Sequence, residues 1–279
     1  LRDSIFLLIS KINKVPTVFF VRGWYNSISN RFYSHNLITS FFRWLFSMPN
    51  AIIVLAEEFK TKLKTLGISS NKIHVETTMT DASNFGLRRL FSDQPYRLLF
   101  CSRLETNKGI YQLLNSIPII LKKFPETKLT YMGEGSQLDS LKLKISEMNL
   151  SNSVKCIGSK IGKDKIEVYH NSDIFVFPTF HSEGFPNVFC EAMAAGLPVV
   201  ATQNAGLADA LQNYKQGVVI TKIPPKPREI ALRIIQLLSN PDLAKRISEN
   251  NLREGREKYD VKVVGDRIGN IYKETAGMC

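Results

Sequence analysis

The most chemically loaded stretches of the chain pair cations or carboxylates with glycine and proline turns, a combination suited to a ligand carrying both anionic and hydroxyl groups. Ser102-Arg103-Leu104-Glu105-Thr106-Asn107-Lys108-Gly109 sets a guanidinium and an ammonium five residues apart around a turn that enters a helical stretch. A planar fork, a point charge and the amides of a helix start together suit a diphosphate. The second stretch, Pro178 to Glu191, puts Glu183 in a Gly/Pro loop and Glu191 eight residues later, in a helix opened by Pro186-Asn187. Asn187 is the expected N-cap, with the amides after it facing an anion. Glu191 lies among Cys190, Ala192, Met193, Ala194 and Ala195. A carboxylate packed there needs partners, for which ligand hydroxyls are natural; the plain alternative is a first-turn charge held by the helix dipole.

Two glycine corners complete the set. Gly133-Glu134-Gly135 lacks the third glycine of a dinucleotide fingerprint and is expected to be a tight turn through which a ligand can come close. Gly158-Ser159-Lys160-Ile161-Gly162 reads as a loop able to lie along a nucleobase through main-chain groups, or as an ordinary connection. His35, His74, His170 and His181 show no metal-ligand spacing, and no metal is expected. His181 stands out, because it adjoins Ser182 and Glu183.

These corners need elements to hold them. From Arg97 onward, short β-branched and aromatic runs alternate with helical patterns, the mark of βαβ units and of a parallel sheet covered on both faces. Strands are expected at 97–101, 128–132, 154–157, 174–177, 199–201 and 218–220, with helices at 109–123, 136–148, 163–170, 187–195 and 208–213. Each loaded corner then follows a strand, where ligands of doubly wound sheets bind. Earlier, 16–21, 52–55 and 72–76 read as strands of a second sheet and 57–66 as a helix; 77–84 and Ser92-Asp93-Gln94-Pro95 read as linker. Helices at 228–238, 242–258 and 266–275 end the chain. The expected domains are a partial first domain, 1–91 with the C-terminal helix 265–279, and a complete second one, 92–264.

Composition narrows the classes. The chain has 279 residues, 44% hydrophobic and 22% charged, which excludes disordered and low-complexity readings. No apolar run approaches the roughly 20 residues of a membrane-spanning helix. The four cysteines form no C-x-x-C pair and suit a reducing, cytoplasmic compartment. The net charge of +12 is concentrated early: residues 1–91 hold 12 Lys+Arg against 5 Asp+Glu, together with 14 of the 28 aromatics. Arg31-Phe32-Tyr33 and Phe41-Phe42-Arg43-Trp44-Leu45-Phe46 suggest either a helix lying on an anionic membrane or a core helix with a solvated basic face. Without a nucleic-acid-binding motif or clustered cations, no nucleic-acid partner is expected.

The segment EGFPNVFCEAMAAGLPVVAT, from Glu183 to Thr202, closely resembles the E-x7-E segment of retaining glycosyltransferases of the large family-four type, and SRLETNKG resembles their R-L-x4-K-G element. The likeness covers about 97–265 and implies an α/β GT-B fold, two Rossmann-like doubly wound domains facing a cleft, here with the N-terminal one incomplete. It further implies a UDP- or GDP-sugar donor, no metal cofactor, and a glycan or lipid-linked acceptor in cell-surface polysaccharide synthesis. By resemblance, Arg103 and Lys108 hold the diphosphate, Glu183 the sugar hydroxyls and Glu191 the ribose. Gly184, Phe185, Pro186 and Asn187 support the sugar and distal phosphate, while Gly133 and Gly158 line the donor site. The chain departs from the family at Ser102, where Gly is usual, at Arg22, where many members carry His, and in having no Gly-rich loop before Leu1. It is therefore read as beginning inside a longer reading frame. Two rival readings follow, a nucleotide-sugar epimerase of the same fold and a non-catalytic donor-binding remnant or partner subunit.

Overall fold

A computed structural model describes residues 2–24, 36–86, 95–182 and 184–277. In chain order, α1 (Arg2–Ile12), β1 (Val18–Val21), α2 (Asn36–Ser47), β2 (Ala51–Val54), α3 (Glu57–Thr65) and β3 (Ile73–Val75) form the first part. The second runs through β4 (Arg97–Cys101), α4 (Ile110–Leu121), β5 (Lys128–Met132), α5 (Leu138–Glu147), β6 (Val154–Cys156), α6 (Gly162–His170), β7 (Ile174–Phe177), α7 (Asn187–Ala194), β8 (Val199–Thr202), α8 (Gly206–Ala210) and β9 (Gly217–Ile220). Three helices follow, α9 (Pro227–Leu238), α10 (Pro241–Tyr259) and α11 (Val261–Ala276).

The strands form two parallel sheets, one ordered β1-β2-β3 and one ordered β6-β5-β4-β7-β8-β9. In the larger sheet the chain steps outward from β4 to β6, then starts again on the other side of β4 with β7. That reversal opens a crevice at the carboxyl ends of β4 and β7, the switch point of a doubly wound sheet. Strands β7, β8 and β9 are buried at every residue, as a sheet with helices on both faces requires.

The last helix returns to the first sheet, where Ile271 and Ile268 pack on Ala51, Ile53, Val18 and Phe20. It starts at Val261, earlier than expected, because the Asp260 carboxylate caps it by accepting from the Lys262 amide at 3.0 Å. The two chain crossings are bonded together: Thr80 N–H donates to the Tyr259 carbonyl and Val261 N–H to the Thr80 carbonyl. The segment expected as a free linker is thus structured, with a 3₁₀ turn at Ala82–Phe85 whose Ala82 and Phe85 are buried. Ser92, Asp93 and Gln94 lie outside the described residues.

Helix α1 was not expected, because its apolar residues follow no single face; Leu7 is buried whereas Ile5, Phe6, Ile9 and Ile12 are exposed. Helix α2 departs from the reading of a core helix with a solvated basic face. Leu45 and Phe46 join the core, but the outer stripe is Leu37, Phe41 and Trp44, exposed and apolar. Arg43, expected on a solvated basic face, instead donates from Nε to the Leu66 carbonyl at 2.7 Å. Arg31-Phe32-Tyr33 lies outside the described residues.

Candidate active site

The loop after β4 is built to keep an ammonium out of water. A 3₁₀ turn at Thr106–Lys108 leads into Gly109, whose φ of +76° only glycine adopts easily and whose Cβ would meet the Pro178 carbonyl at 2.2 Å. Lys108, ending that turn, is only 2% exposed. Burial, aided by the Arg103 guanidinium and opposed by Glu105, lowers its ammonium pKa to about 8. Arg103 remains exposed on the same loop. Glu105 fastens the loop to the next corner by accepting from the Ser136 amide and hydroxyl, bonds that hold its carboxyl below the usual range. Two cations, one desolvated, stand together at the carboxyl end of β4, and desolvated charge attracts a phosphate more strongly than charge in water.

The corner after β7 is locked onto this one. The Asn107 carbonyl accepts from the Phe180 amide at 3.0 Å and from the Thr179 hydroxyl at 3.4 Å. The Thr202 hydroxyl in turn donates to the Thr179 carbonyl, and Asn204 Nδ2 to the His181 carbonyl at 2.6 Å. Glu183 lies outside the described residues. Gly184 fits where a Cβ would meet the Arg22 carbonyl at 2.3 Å, so the loop end presses on the first sheet. Phe185 is buried and packs its ring against Phe189 and Tyr259. Helix α7 is entered at Pro186, which occupies the N-cap, so Asn187 is the first helical residue rather than the expected capping one.

Glu191 is 8% exposed and is not left waiting for ligand hydroxyls, as the sequence suggested. Lys165 Nζ donates to its Oε1 at 2.6 Å and the Tyr169 hydroxyl to its Oε2 at 2.8 Å. Burial, reinforced by Cys101 and Glu191, pushes the Tyr169 pKa far above the ordinary range and keeps it a hydroxyl donor. Sequence reasoning missed this pair, although Lys165 and Tyr169 stand four apart and so share one face of α6. Lys165 is the more accessible partner, with its side chain 30% exposed.

The glycine corners also read differently in three dimensions. A Cβ on Gly133, at φ +144°, would meet the Ser102 carbonyl at 2.0 Å. The close approach is therefore to the loop carrying Arg103 rather than to open ligand space. The Gly158 carbonyl accepts from the Gly133 amide at 2.9 Å, which ties the β6 corner to the β5 corner.

Between the sheets lies a cavity of about 340 Å3 lined by Leu55, Glu76, Thr77, Phe185, Asp209 and Arg267. Asp209 also crosses the cleft, accepting from the Glu57 amide at 2.8 Å and so capping α3 from the other sheet. A larger groove, about 700 Å3, opens around Arg97, Lys128 and Ser153, at the amino ends of β4, β5 and β6. It continues along the β6 edge to Ile157 and Lys160 after β6 and to Asp164 on α6, away from the switch point between β4 and β7. Among the described residues no three His, Cys, Asp or Glu side chains group as metal ligands. Burial raises the pKa of Cys101 to about 11 and of Cys190 to about 12, so neither is a ready nucleophile.

A doubly wound sheet with a cationic corner at its switch point, facing a second parallel sheet across a cleft, defines an α/β protein of GT-B type. The family model of group 1 glycosyl transferases matches residues 88–254, more than half of the chain, and the protein belongs to that family. It is 29% identical over 238 residues to the capsular polysaccharide biosynthesis glycosyltransferase CapM of Staphylococcus aureus, covering 83% of this chain and 61% of CapM. To a glycogen synthase of Mycobacterium tuberculosis it is 27% identical over 232 residues, covering 82% of this chain and 55% of that one. The chain thus spans little more than half the length of these curated relatives. In fold it resembles Anabaena Alr3699/HepE, solved with UDP, at a TM-score of 0.81 and 17% identity, over 97% of this chain and 76% of that one.

Proposed function

We propose that the protein is a retaining glycosyltransferase that moves a sugar from a UDP- or GDP-linked donor to a glycan or lipid-linked acceptor in cell-surface polysaccharide synthesis. The observation that carries this reading is the buried Lys108 beside Arg103, at the carboxyl end of β4 and bonded through Asn107 to the loop after β7. The diphosphate lies against those two cations, which take up the charge that develops on it as the sugar leaves. Glu183 is assigned to the sugar hydroxyls by the resemblance of its segment alone. Glu191 faces the ribose, and a ribose hydroxyl replaces Lys165, its more exposed partner. No metal is needed, because Lys108 and Arg103 supply the positive charge. The CapM likeness supports the polysaccharide role, and UDP bound to HepE supports a nucleotide-linked donor.

The acceptor enters between the sheets, near the cavity lined by Leu55 and Phe185. Among the described residues no helix is long and apolar enough to cross a membrane. The exposed Leu37, Phe41 and Trp44 stripe, in a region that also carries exposed Phe6, Ile9, Lys11 and Lys14, instead lets a cytoplasmic protein rest on an anionic leaflet. Incubation with radiolabelled UDP- and GDP-sugars and a lipid-linked acceptor extract, followed by product analysis, tests the reaction. Sugar joined to an acceptor with its anomeric configuration kept is the expected product. A rearranged free sugar would point to an epimerase, and absence of any product with every donor would overturn the catalytic reading.

A further inference from the structure

One polar pair in the site is required by none of the contacts described so far. Asn107 Nδ2 lies 3.2 Å from His181 Nδ1. With the amide donating, Nδ1 accepts, and the neutral imidazole carries its proton on Nε2. Among the described residues nothing accepts from that Nε2–H. The other end of the amide is also unused, since Asn107 Oδ1 is buried with no hydrogen-bond partner among the described residues. Buried acceptors are rarely left unpaired, so an orphan at the mouth of a binding corner points to a missing ligand or a second arrangement.

The pair is also held rigidly. The Asn107 carbonyl anchors Thr179 and Phe180, the His181 amide donates to the Thr179 hydroxyl at 3.3 Å, and Asn204 grips the His181 carbonyl. Among the described residues the charged groups that reach the ring are Lys108 and Arg103, both on the loop after β4, while Glu183 lies outside the described residues. The neighbours on the β7 and β8 corners, Thr179 and Asn204, are neutral. A titratable ring fixed beside two cations, with an unfilled Nε2–H donor, suits an anion, while the unfilled Asn107 oxygen gives the amide a second orientation once Nδ1 carries a proton.

We propose that His181, oriented by Asn107, is a further binding residue of the donor site, its imidazole contacting the diphosphate alongside Arg103 and Lys108. This rests on the reading that the diphosphate lies against those cations. In the free chain, burial and the two cations lower the His181 pKa below its ordinary value, so the ring is neutral near pH 7. A bound diphosphate offsets the cations and favours the charged ring. His181 then takes a proton from solvent at Nδ1, and the Asn107 amide turns its Oδ1 toward the new N–H. Because the complex holds more protons than the free chain, donor affinity rises as pH falls toward the free-chain pKa.

The test is calorimetric titration of the 279-residue chain with UDP-glucose and GDP-mannose between pH 5.5 and 8, in buffers of different ionisation heat. Sugar nucleotides are the right probes because their diphosphate has no group titrating near pH 6, unlike a terminal phosphate with a second pKa of about 6. Net proton uptake on binding near pH 6 is expected in the unmodified chain, a measurement that needs no variant. His181→Gln keeps an uncharged donor but cannot take the proton. It should lose the uptake and bind roughly tenfold more weakly at pH 6, the size of one lost charge-assisted hydrogen bond. Binding without proton uptake, or uptake that persists in the variant, overturns the role of His181 and leaves the donor reading intact. Failure of both sugar nucleotides to bind overturns both together.

Discussion

Both regions of the molecule are parallel sheets, but they are covered unequally. In the six-stranded sheet, β7, β8 and β9 are buried along their whole length and the flanking helices turn most of their apolar residues inward, Leu143 and Leu232 excepted. In the three-stranded sheet only β2 is so buried; β1 is half-buried throughout, and α1 and α2 turn Ile5, Phe6, Leu37, Phe41 and Trp44 outward. A parallel sheet is stable when both faces are covered, and exposed apolar patches mark places where something else docks. The first kind of coverage fixes a rigid platform for charged corners. The second leaves apolar side chains on the outside of the first region. The two regions divide in this respect and are joined by the bonded crossings at Thr80 and Asp260 and by the Asp209 cap on α3.

That division makes the two regions respond differently to substitution. The largest effect belongs to the cationic corner: Lys108→Ala should lower transfer by about 10²–10³-fold, as removing one preorganised charge-stabilising donor does. Unchanged turnover in a steady-state assay with a labelled donor would place the chemistry elsewhere. The unmodified enzyme should also lose donor affinity as pH rises through about 8, where Lys108 gives up its proton, and Lys108→Arg should flatten that decline. Next comes Gly109→Ala, which sets a Cβ against the Pro178 carbonyl at a positive φ and should cost about 1–3 kcal/mol in chemical denaturation. A cost near zero would mean that the two corners are not clamped together. Lys165→Met leaves Glu191 with Tyr169 alone; if a ribose hydroxyl replaces Lys165, donor binding by calorimetry should change by less than about tenfold, well short of Lys108→Ala. Smallest in the folded protein is Trp44→Ser in α2, expected to shift stability by no more than about 0.5 kcal/mol. It should nonetheless reduce co-sedimentation with anionic liposomes; equal sedimentation would remove the membrane from the picture.

Much of the site region could be read in advance because it is local. Arg103, Lys108 and Gly109 share one loop, and the strand before it, Arg97–Cys101, is an apolar run whose ends match its expected bounds. The same holds for Lys128–Met132 and Ile174–Phe177. Local pattern failed where an element has no one-sided periodicity, as in α1, or where a neighbour brought by the fold reassigns a residue. Gly133 is small because the Ser102 carbonyl lies against it, and Arg43 is tied to Leu66; neither neighbour is visible in the flanking sequence.

The sequence by itself determined the order of strands and helices from β4 onward, the basic and aromatic bias of the first third, and which corners carry cations, glycines and carboxylates. These depend on periodicity and on residues adjacent in the chain. Only the tertiary structure decided which corners meet. By reversing the strand order at β4 and β7, it set Asn107 against His181, gave Glu191 the partners Lys165 and Tyr169, and brought Asp209 to the start of α3. Such pairs join distant stretches of chain, and their energy is gained only once burial has closed the loops between them, so no local pattern announces them.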